Sequence, residues 1–176
     1  MVSIQPWSLE DIWRYSRVNI DEWTETYSIP FYLYYSLQWP QLAWTVSNNS
    51  NNIVGYILGS AKTEDPSQSK GHVTAVTVCE DYRRLGIASL LMNFLENTAD
   101  KLYKAYFVDL YVRPTNKHAQ TMYEKLGYVL YRQITNYYET INEDGYDMRK
   151  SLPRDREKKF SIPLEHPVTK DEVGWD

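Results

Sequence analysis

Apolar and polar positions along this chain follow two periods, and the switches between them mark its elements. Ile4 to Trp7 reads as a short opening strand. Ser8 with Asp11 three residues on has the form of a helix N-cap, and Leu9, Ile12 and Trp13 recur at helical spacing, which predicts a first helix over 8–20. Pro30 suits a first turn and Pro40 a stop, so a second helix runs from Pro30 to Trp39. Leu42 to Val46 and Ile53 to Gly59 flank the turn-rich 47–52 as a hairpin, and the polar stretch from Lys62 to Lys70 is a loop. His72 to Val78 alternates β-branched and small residues as a strand does and stops near Cys79. From Gly86 onward, Ile87, Leu90, Leu91, Phe94, Leu95 and Leu102 keep to one helical face. Ala105 to Val112 is then a buried strand, Asn116 to Leu126 a helix stopped by Gly127, and Tyr128 to Tyr138 with Tyr146 to Arg149 a closing pair of strands. The order α-α-β-β-β-α-β-α-β-β predicts an α/β chain of the α+β type with a mixed sheet.

At 176 residues the chain suits one domain. With 43% hydrophobic residues, 24% charged and a net charge of -4 it reads as a soluble globular protein with no evident attraction to DNA. No apolar run approaches the ~20 residues that span a bilayer, and Met1 to Pro6 has no charged leader, so neither a membrane nor secretion is expected. The single Cys79 makes no internal disulfide, which suits a cytoplasmic setting. Aromatic residues reach 15%, and those between Trp7 and Trp44 are more than two short helices can bury, so some are expected to stay exposed or meet a partner. After residue 150 the composition changes. Arg149 to Lys159 is rich in basic residues, and Ser161 to Asp176 carries Pro163 and Pro167 and few core formers. The reading is a domain over 1–150 and an extended, basic then proline-containing extension over 151–176.

The segment Arg83-Arg84-Leu85-Gly86-Ile87-Ala88 lies where a strand ends and a helix begins. The first N–H groups of such a helix have no internal acceptor, Gly86 permits close approach, and two arginines add charge, so an anion such as a pyrophosphate fits there. An ordinary capped helix start would look similar. The wider arrangement is more specific: strand, Arg-x-x-Gly-x-Ala, helix, strand, then Asn116 and Tyr123 in a helix ending at Leu126-Gly127-Tyr128 resembles the GNAT acetyltransferase family over about residues 1–150. That resemblance implies the GNAT fold, a central, mostly antiparallel sheet with a parallel splayed pair, flanked by helices. It also implies acetyl-CoA as co-substrate; no metal is expected, because the carboxylates show no metal-ligand spacing and the three histidines, His72, His118 and His166, are scattered beside a single Cys. Arg83, Arg84, Leu85, Gly86, Ile87 and Ala88 would hold the co-substrate's pyrophosphate, Val76 and Val78 at the strand end its pantetheine, and Asn116 and Tyr123 would complete the cofactor site. Glu80 stands where relatives commonly have proline, a departure that leaves the strand end intact.

Within the family, Thr24 to Tyr32, His72 to Ala75, Phe107 to Leu110, Tyr146 to Lys150 and Arg154 to Lys159 resemble the catalytic subunits of N-terminal acetyltransferase B (NatB). This implies acetylation of nascent-chain N-termini that keep methionine followed by Asp, Glu, Asn or Gln. It also implies a large helical-repeat (TPR-like) auxiliary subunit and work at the ribosome in the cytoplasm. An α-amine has a reference pKa of about 7.7–8.0, so a modest base suffices for direct attack on the thioester. The leaving thiolate needs an acid, for which Tyr123 is the candidate, although a packed core ring would look the same in sequence. His72 is either a proton carrier or, more in keeping with its type, a recognition or structural residue. Thr74, Tyr137 and Tyr138 join it as neutral donors for a carboxylate or carboxamide, Tyr27 and Phe31 suit a methionine pocket, and Glu25 would face the ammonium rather than stand solvated. A covalent acetyl-Cys79 is the less favoured route, because no histidine is evidently placed to activate it. The basic 149–159 stretch is a solvated face, or a contact for the auxiliary subunit or ribosomal RNA. Two other functions compete: a GNAT enzyme for lysine side chains or small amines, and a non-catalytic subunit that binds coenzyme A. The 137–144 segment, expected to protrude and cover the peptide end, speaks against an internal lysine.

Overall fold

The computed structural model describes residues 1–173, the side chains of Ser16 and Arg17 excepted, so the last three residues of the predicted extension lie outside the described residues. Eight strands form one sheet: β1 Val2–Pro6, β2 Ala43–Asn48, β3 Ile53–Lys62, β4 Lys70–Val78, β5 Phe107–Val112, β6 Val129–Tyr138, β7 Glu143–Ser151 and β8 Val168–Thr169, in the order β1-β2-β3-β4-β5-β7-β6-β8. The helices are α1 Ile29–Gln38, α2 Ile87–Lys101, α3 Lys117–Lys125 and the single turn α4 Lys170–Val173.

β3 explains why the sheet needs two layers of cover. Val54, Ile57 and Ala61 pack with Leu91 and Leu95 of α2, while Ile53, Tyr56 and Leu58 pack with Tyr15 and Tyr32 on the other face, the alternation shifting phase at the bulge that leaves Val54 between Ile53 and Gly55. A strand wetted on one side would show polar residues in one of those sets. Two glycines let α2 seat directly on the sheet: a Cβ at Gly59 would fall 2.5 Å from Leu95 Cδ1, and one at Gly71 would fall 2.9 Å from Ala99 Cβ. The helical face predicted from Gly86 onward is the buried one, except that Leu90 and Leu102 are exposed.

The feature that positions the site is a parting of two strands. β4 and β5 run parallel through only four pairs, from Lys70 opposite Phe107 to Val73 opposite Leu110. Beyond them β5 stays with β7 as far as Val112 opposite Tyr146, and β4 stays with β3. A bulge helps turn β4 away: Leu58 pairs with Ala75 and Gly59 with Val73, leaving Thr74 between them. The wedge opens there.

Three sequence expectations need correction. The 8–20 helix is a 3-10 helix over Leu9–Arg17. Its start is as read, since the Asp11 carboxylate accepts from the Ser8 backbone N–H at 2.9 Å, but its aromatic and β-branched residues are poor α-helix formers, and Asp11 and Tyr15 are drawn into the core. The segment after 150 is not an extended appendage. Asp155 is buried and accepts from Ser151 Oγ and the Lys159 and Phe160 N–H groups, Phe160 stacks on Phe107 at 4.9 Å, and β8 adds a second parallel pair against β6. The basic stretch is likewise not uniformly solvated, because Arg149 is buried against Asp147 and Lys150 pairs with Glu96 at 2.6 Å. Among the described residues, no helix is long and apolar enough to cross a membrane.

Candidate active site

A cavity of about 1200 Å³ opens at the wedge and runs from the start of α2 to the end of β6. That exceeds the ~300–1,000 Å³ of an ordinary small-molecule pocket and leaves room for two substrates. Every residue assigned to donor or acceptor binding from the sequence lines it except Leu85, whose side chain points to solvent; Cys79, the alternative acetyl carrier, does not line it.

One end is a backbone device. Arg84 and Gly86 have φ of 62° and 81°, and Gly86 is the N-cap of α2. These left-handed turns bring Gly86, Ile87, Ala88 and Ser89 to the cavity wall, where the first-turn N–H groups of α2 have no helical acceptor and suit an anion. Arg83 is already engaged. Its Nε donates to the Val78 carbonyl at 3.1 Å and its Nη2 meets the Asp21 carboxylate at 2.6 Å, tying this turn to the 21–28 loop. Asp21 also accepts from the Trp23 and Thr24 N–H groups and so shapes that loop.

The other end is built from side chains. Tyr27 stacks on Phe31 at 4.1 Å, Phe31 on Tyr35 at 4.5 Å, and the Tyr27 hydroxyl donates to the Thr74 carbonyl at 3.4 Å. Burial, with Glu25 nearby, pushes the Tyr27 phenol well above its ordinary value. Glu25 itself is exposed on the loop and faces the same cavity. Opposite, Tyr111 lies 5.1 Å from His72 and 4.9 Å from Tyr137, which meets Tyr138 edge-on at 5.0 Å. The Arg113 guanidinium sits between Trp23 and Tyr138 at 5.9 and 5.1 Å and donates to the Glu22 carbonyl, bracing the two rims. Residues 137–144 form the hairpin end of β6 and β7, with Tyr138 opposite Glu143. Thr74 Oγ1 is buried and has no hydrogen-bond partner among the described residues.

Tyr123 of α3 lies between the two ends. It is buried, its ring is 5.9 Å from that of Tyr128, and burial holds its phenol well above the ordinary tyrosine value, so it keeps its proton. Asn116 caps α3 by accepting from the Ala119 N–H at 3.1 Å. His72 Nδ1 is 2.8 Å from Asp109 Oδ1, and Lys70 Nζ is 2.8 Å from Asp109 Oδ2. Burial alone would raise the Asp109 carboxyl, but the Lys70 ammonium and the hydrogen bonds from His72 and Lys70 outweigh it and hold the group below the usual carboxylate range. Sequence reasoning missed Asp109, Asp21, Arg113, and the C-terminal residues Lys170 and Val173, which reach the cavity rim. Asp109 had a signal, a carboxylate within Phe107-Val108-Asp109-Leu110.

The parted parallel strands, the left-handed turn at the head of a helix and the cavity joining them define a coenzyme A-dependent acetyltransferase fold. The acetyltransferase (GNAT) family matches over residues 10–128, and the chain belongs to it. The chain is 48% identical over 176 residues, the full length of both chains, to the N-terminal acetyltransferase B complex catalytic subunit NAA20 of Arabidopsis thaliana. Its structure is similar to that of Chaetomium thermophilum Naa20 in complex with a bisubstrate analogue, with a TM-score of 0.92 and 35% identity, covering 98% of this chain and 100% of that one. It also resembles a chain of the NatB acetyltransferase complex bound to a bisubstrate inhibitor, with a TM-score of 0.86 and 33% identity over 98% of this chain and 99% of that one.

Proposed function

We propose that this chain is the catalytic subunit of an N-terminal acetyltransferase B. It transfers acetyl from acetyl-CoA to the α-amino group of N-terminal methionine followed by Asp, Glu, Asn or Gln, by direct attack in a ternary complex. The observation that carries the reading is the two-ended cavity at the β4/β5 parting in a chain matched from end to end by such subunits.

When bound, acetyl-CoA supplies an activated thioester. The N–H groups at the start of α2, with Arg84, hold its pyrophosphate, and the unpaired edge of β4 from Thr74 to Val78 aligns its pantetheine. Backbone N–H groups near Val78 face the oxygen on which charge develops. Tyr27 and Phe31 enclose the methionine side chain. Glu25 faces the ammonium, while His72, Thr74 and the Tyr137-Tyr138 pair meet the second side chain. The unpartnered Thr74 hydroxyl suits that task because it donates to a carboxylate or pairs with a carboxamide. Tyr123, protonated by virtue of its burial, donates to the leaving thiolate.

The exposed rings and aliphatic groups flanking α1, Trp13 at 76%, Ile20 and Leu37 at 77% and Tyr34 at 54% exposure, suit a large helical-repeat auxiliary subunit that brings the enzyme to the ribosome in the cytoplasm. The test is to co-purify the chain with that partner, supply acetyl-CoA, and compare peptides beginning Met-Asp, Met-Leu and Ser-Glu with an internal-lysine peptide. Met-Asp should be preferred by at least about tenfold, since a buried polar pocket left unfilled costs that much or more. Preference for any of the others overturns the reading.

A further inference from the structure

Asp109 occupies an unusual place for a carboxylate. It lies in the middle of an apolar strand, fully buried, at the last pair but one before β4 and β5 part, directly opposite His72. Its two oxygens are divided between two donors, Oδ1 to His72 Nδ1 and Oδ2 to Lys70 Nζ, both at 2.8 Å. On its far side the register places Arg149, whose guanidinium is committed to Asp147 at 3.0 and 3.2 Å. The carboxyl is therefore ionised, and an ionised carboxylate only accepts. The proton in the short contact must belong to His72 Nδ1.

We propose that Asp109 is a positioning residue for the acceptor site: it holds His72 as the Nδ1–H tautomer, with the ring fixed beside Tyr111, so that Nε2 meets the cavity as an acceptor. The tautomer follows from the protein's own geometry. Its use rests on the N-terminal acetyltransferase reading. There, an N–H bond of the methionine ammonium breaks and an Nε2–H bond forms, directly or through one water. The amine is left neutral for attack, and the imidazolium charge is opposed by Asp109. Once protonated, the same atom donates to the carboxylate or carboxamide oxygen of the second side chain. With the opposite tautomer, Nε2 would already carry a proton and take none. Lys70 has a supporting part, since its ammonium offsets the cost of keeping Asp109 ionised in the core.

A double-mutant cycle tests this in the intact enzyme. Asp109→Asn should lower kcat/KM for a Met-Asp peptide by about 10²-fold or more, as loss of the tautomer-fixing carboxylate does in other carboxylate-histidine pairs, with the acetyl-CoA KM unchanged. In a His72→Gln background the same substitution should cost less than about twofold further. A loss that multiplies in full in that background overturns the proposal, because a merely structural carboxylate would act independently of His72. A spectrum of the chain with His72 and Asp109 both in place does not depend on a core variant folding. With histidine ¹⁵N-labelled, only His72, His118 and His166 contribute, and His118→Gln and His166→Gln, both substitutions of exposed side chains, identify the His72 signal by elimination. A protonated Nδ1 and a bare Nε2 are expected, and the reverse assignment overturns the proposal whatever the activity. A correct tautomer in a chain that acetylates no N-terminus would instead overturn the functional reading alone.

Discussion

The two ends of the cavity are built in different ways. The donor end is one continuous stretch, Arg83 to Ala88, whose work is done by backbone: two left-handed residues and the N–H groups that open α2. The acceptor end gathers side chains from the 21–28 loop, α1, β4, β5, the end of β6 and the C-terminal turn. Arg113 alone joins positions 91 residues apart when it meets Glu22. A ligand common to a whole family is held by groups that every sequence possesses, whereas selectivity among acceptors needs particular side chains brought from afar. Substitutions should therefore separate cleanly into donor and acceptor effects, except at the junction.

Tyr123 stands at that junction, and its loss should have the largest effect. Tyr123→Phe keeps the buried ring and removes the proton donor, so kcat should fall about 10²- to 10³-fold while the KM of each substrate stays within about threefold. Because burial raises this phenol, the unsubstituted enzyme should show no loss of kcat from it as pH climbs through the ordinary tyrosine value of about 10. Initial rates across that range check both statements. A fall of less than about fivefold would leave Tyr123 a packed ring and move the acid elsewhere.

Gly86→Val probes the donor end. A Cβ there would meet nothing within 4 Å, so the cost is set first by holding φ at 81°. A left-handed non-glycine residue costs ~1–2 kcal/mol, so the acetyl-CoA KM should rise about tenfold with the peptide KM unmoved. An equal rise in both would break the division between the ends.

The same contrast governs what could be read in the sequence. The turn at Arg83 to Ala88, the α2 face and the β3 run declare themselves through spacing and composition within a few residues. The Asp109 carboxylate was visible as an oddity in Phe107-Val108-Asp109-Leu110, but its partner His72 is 37 residues away, and only the parallel register joins them. Asp21 and Arg113 looked like ordinary surface charges, because ion pairs and ring contacts across loops leave no periodic trace. β8 is two residues long, too short to show any period, and its placement follows from hydrogen bonding to the edge of β6.

That returning tail offers a milder test of the acceptor end. Lys170 lies over the Tyr137 ring at 5.6 Å and pairs with Glu139 at 2.9 Å, and Val173 lines the cavity. Ending the chain after Pro163 keeps the Asp155 anchor and the Phe160 stack. It should raise the peptide KM about three- to tenfold and leave that of acetyl-CoA alone, a loss of ~1 kcal/mol of acceptor binding. The uncovered β6 edge should also lower the thermal midpoint, so the assay belongs well below it. An unchanged peptide KM would restrict the acceptor end to residues before 140.

Cys79→Ala should have the smallest effect, and that is its value. Cys79 follows β4 at the donor end, with its N–H donating to the Val54 carbonyl and its side chain packed against both cores. It does not line the cavity, and His72 stands seven positions earlier on β4, turned to Asp109. A thiol that is to take the acetyl group needs a path to the thioester, and Cys79 is not among the residues that line the cavity. The substitution should leave kcat within about twofold and cost less than ~1 kcal/mol of stability for one small, half-buried group. Direct transfer predicts an unchanged single-turnover rate with no acetylated protein intermediate. Near-total loss of turnover in folded protein would put the reacting centre at Cys79 and make Tyr123 a bystander, and the division into two ends meeting at one acid would have to be redrawn around a thiol.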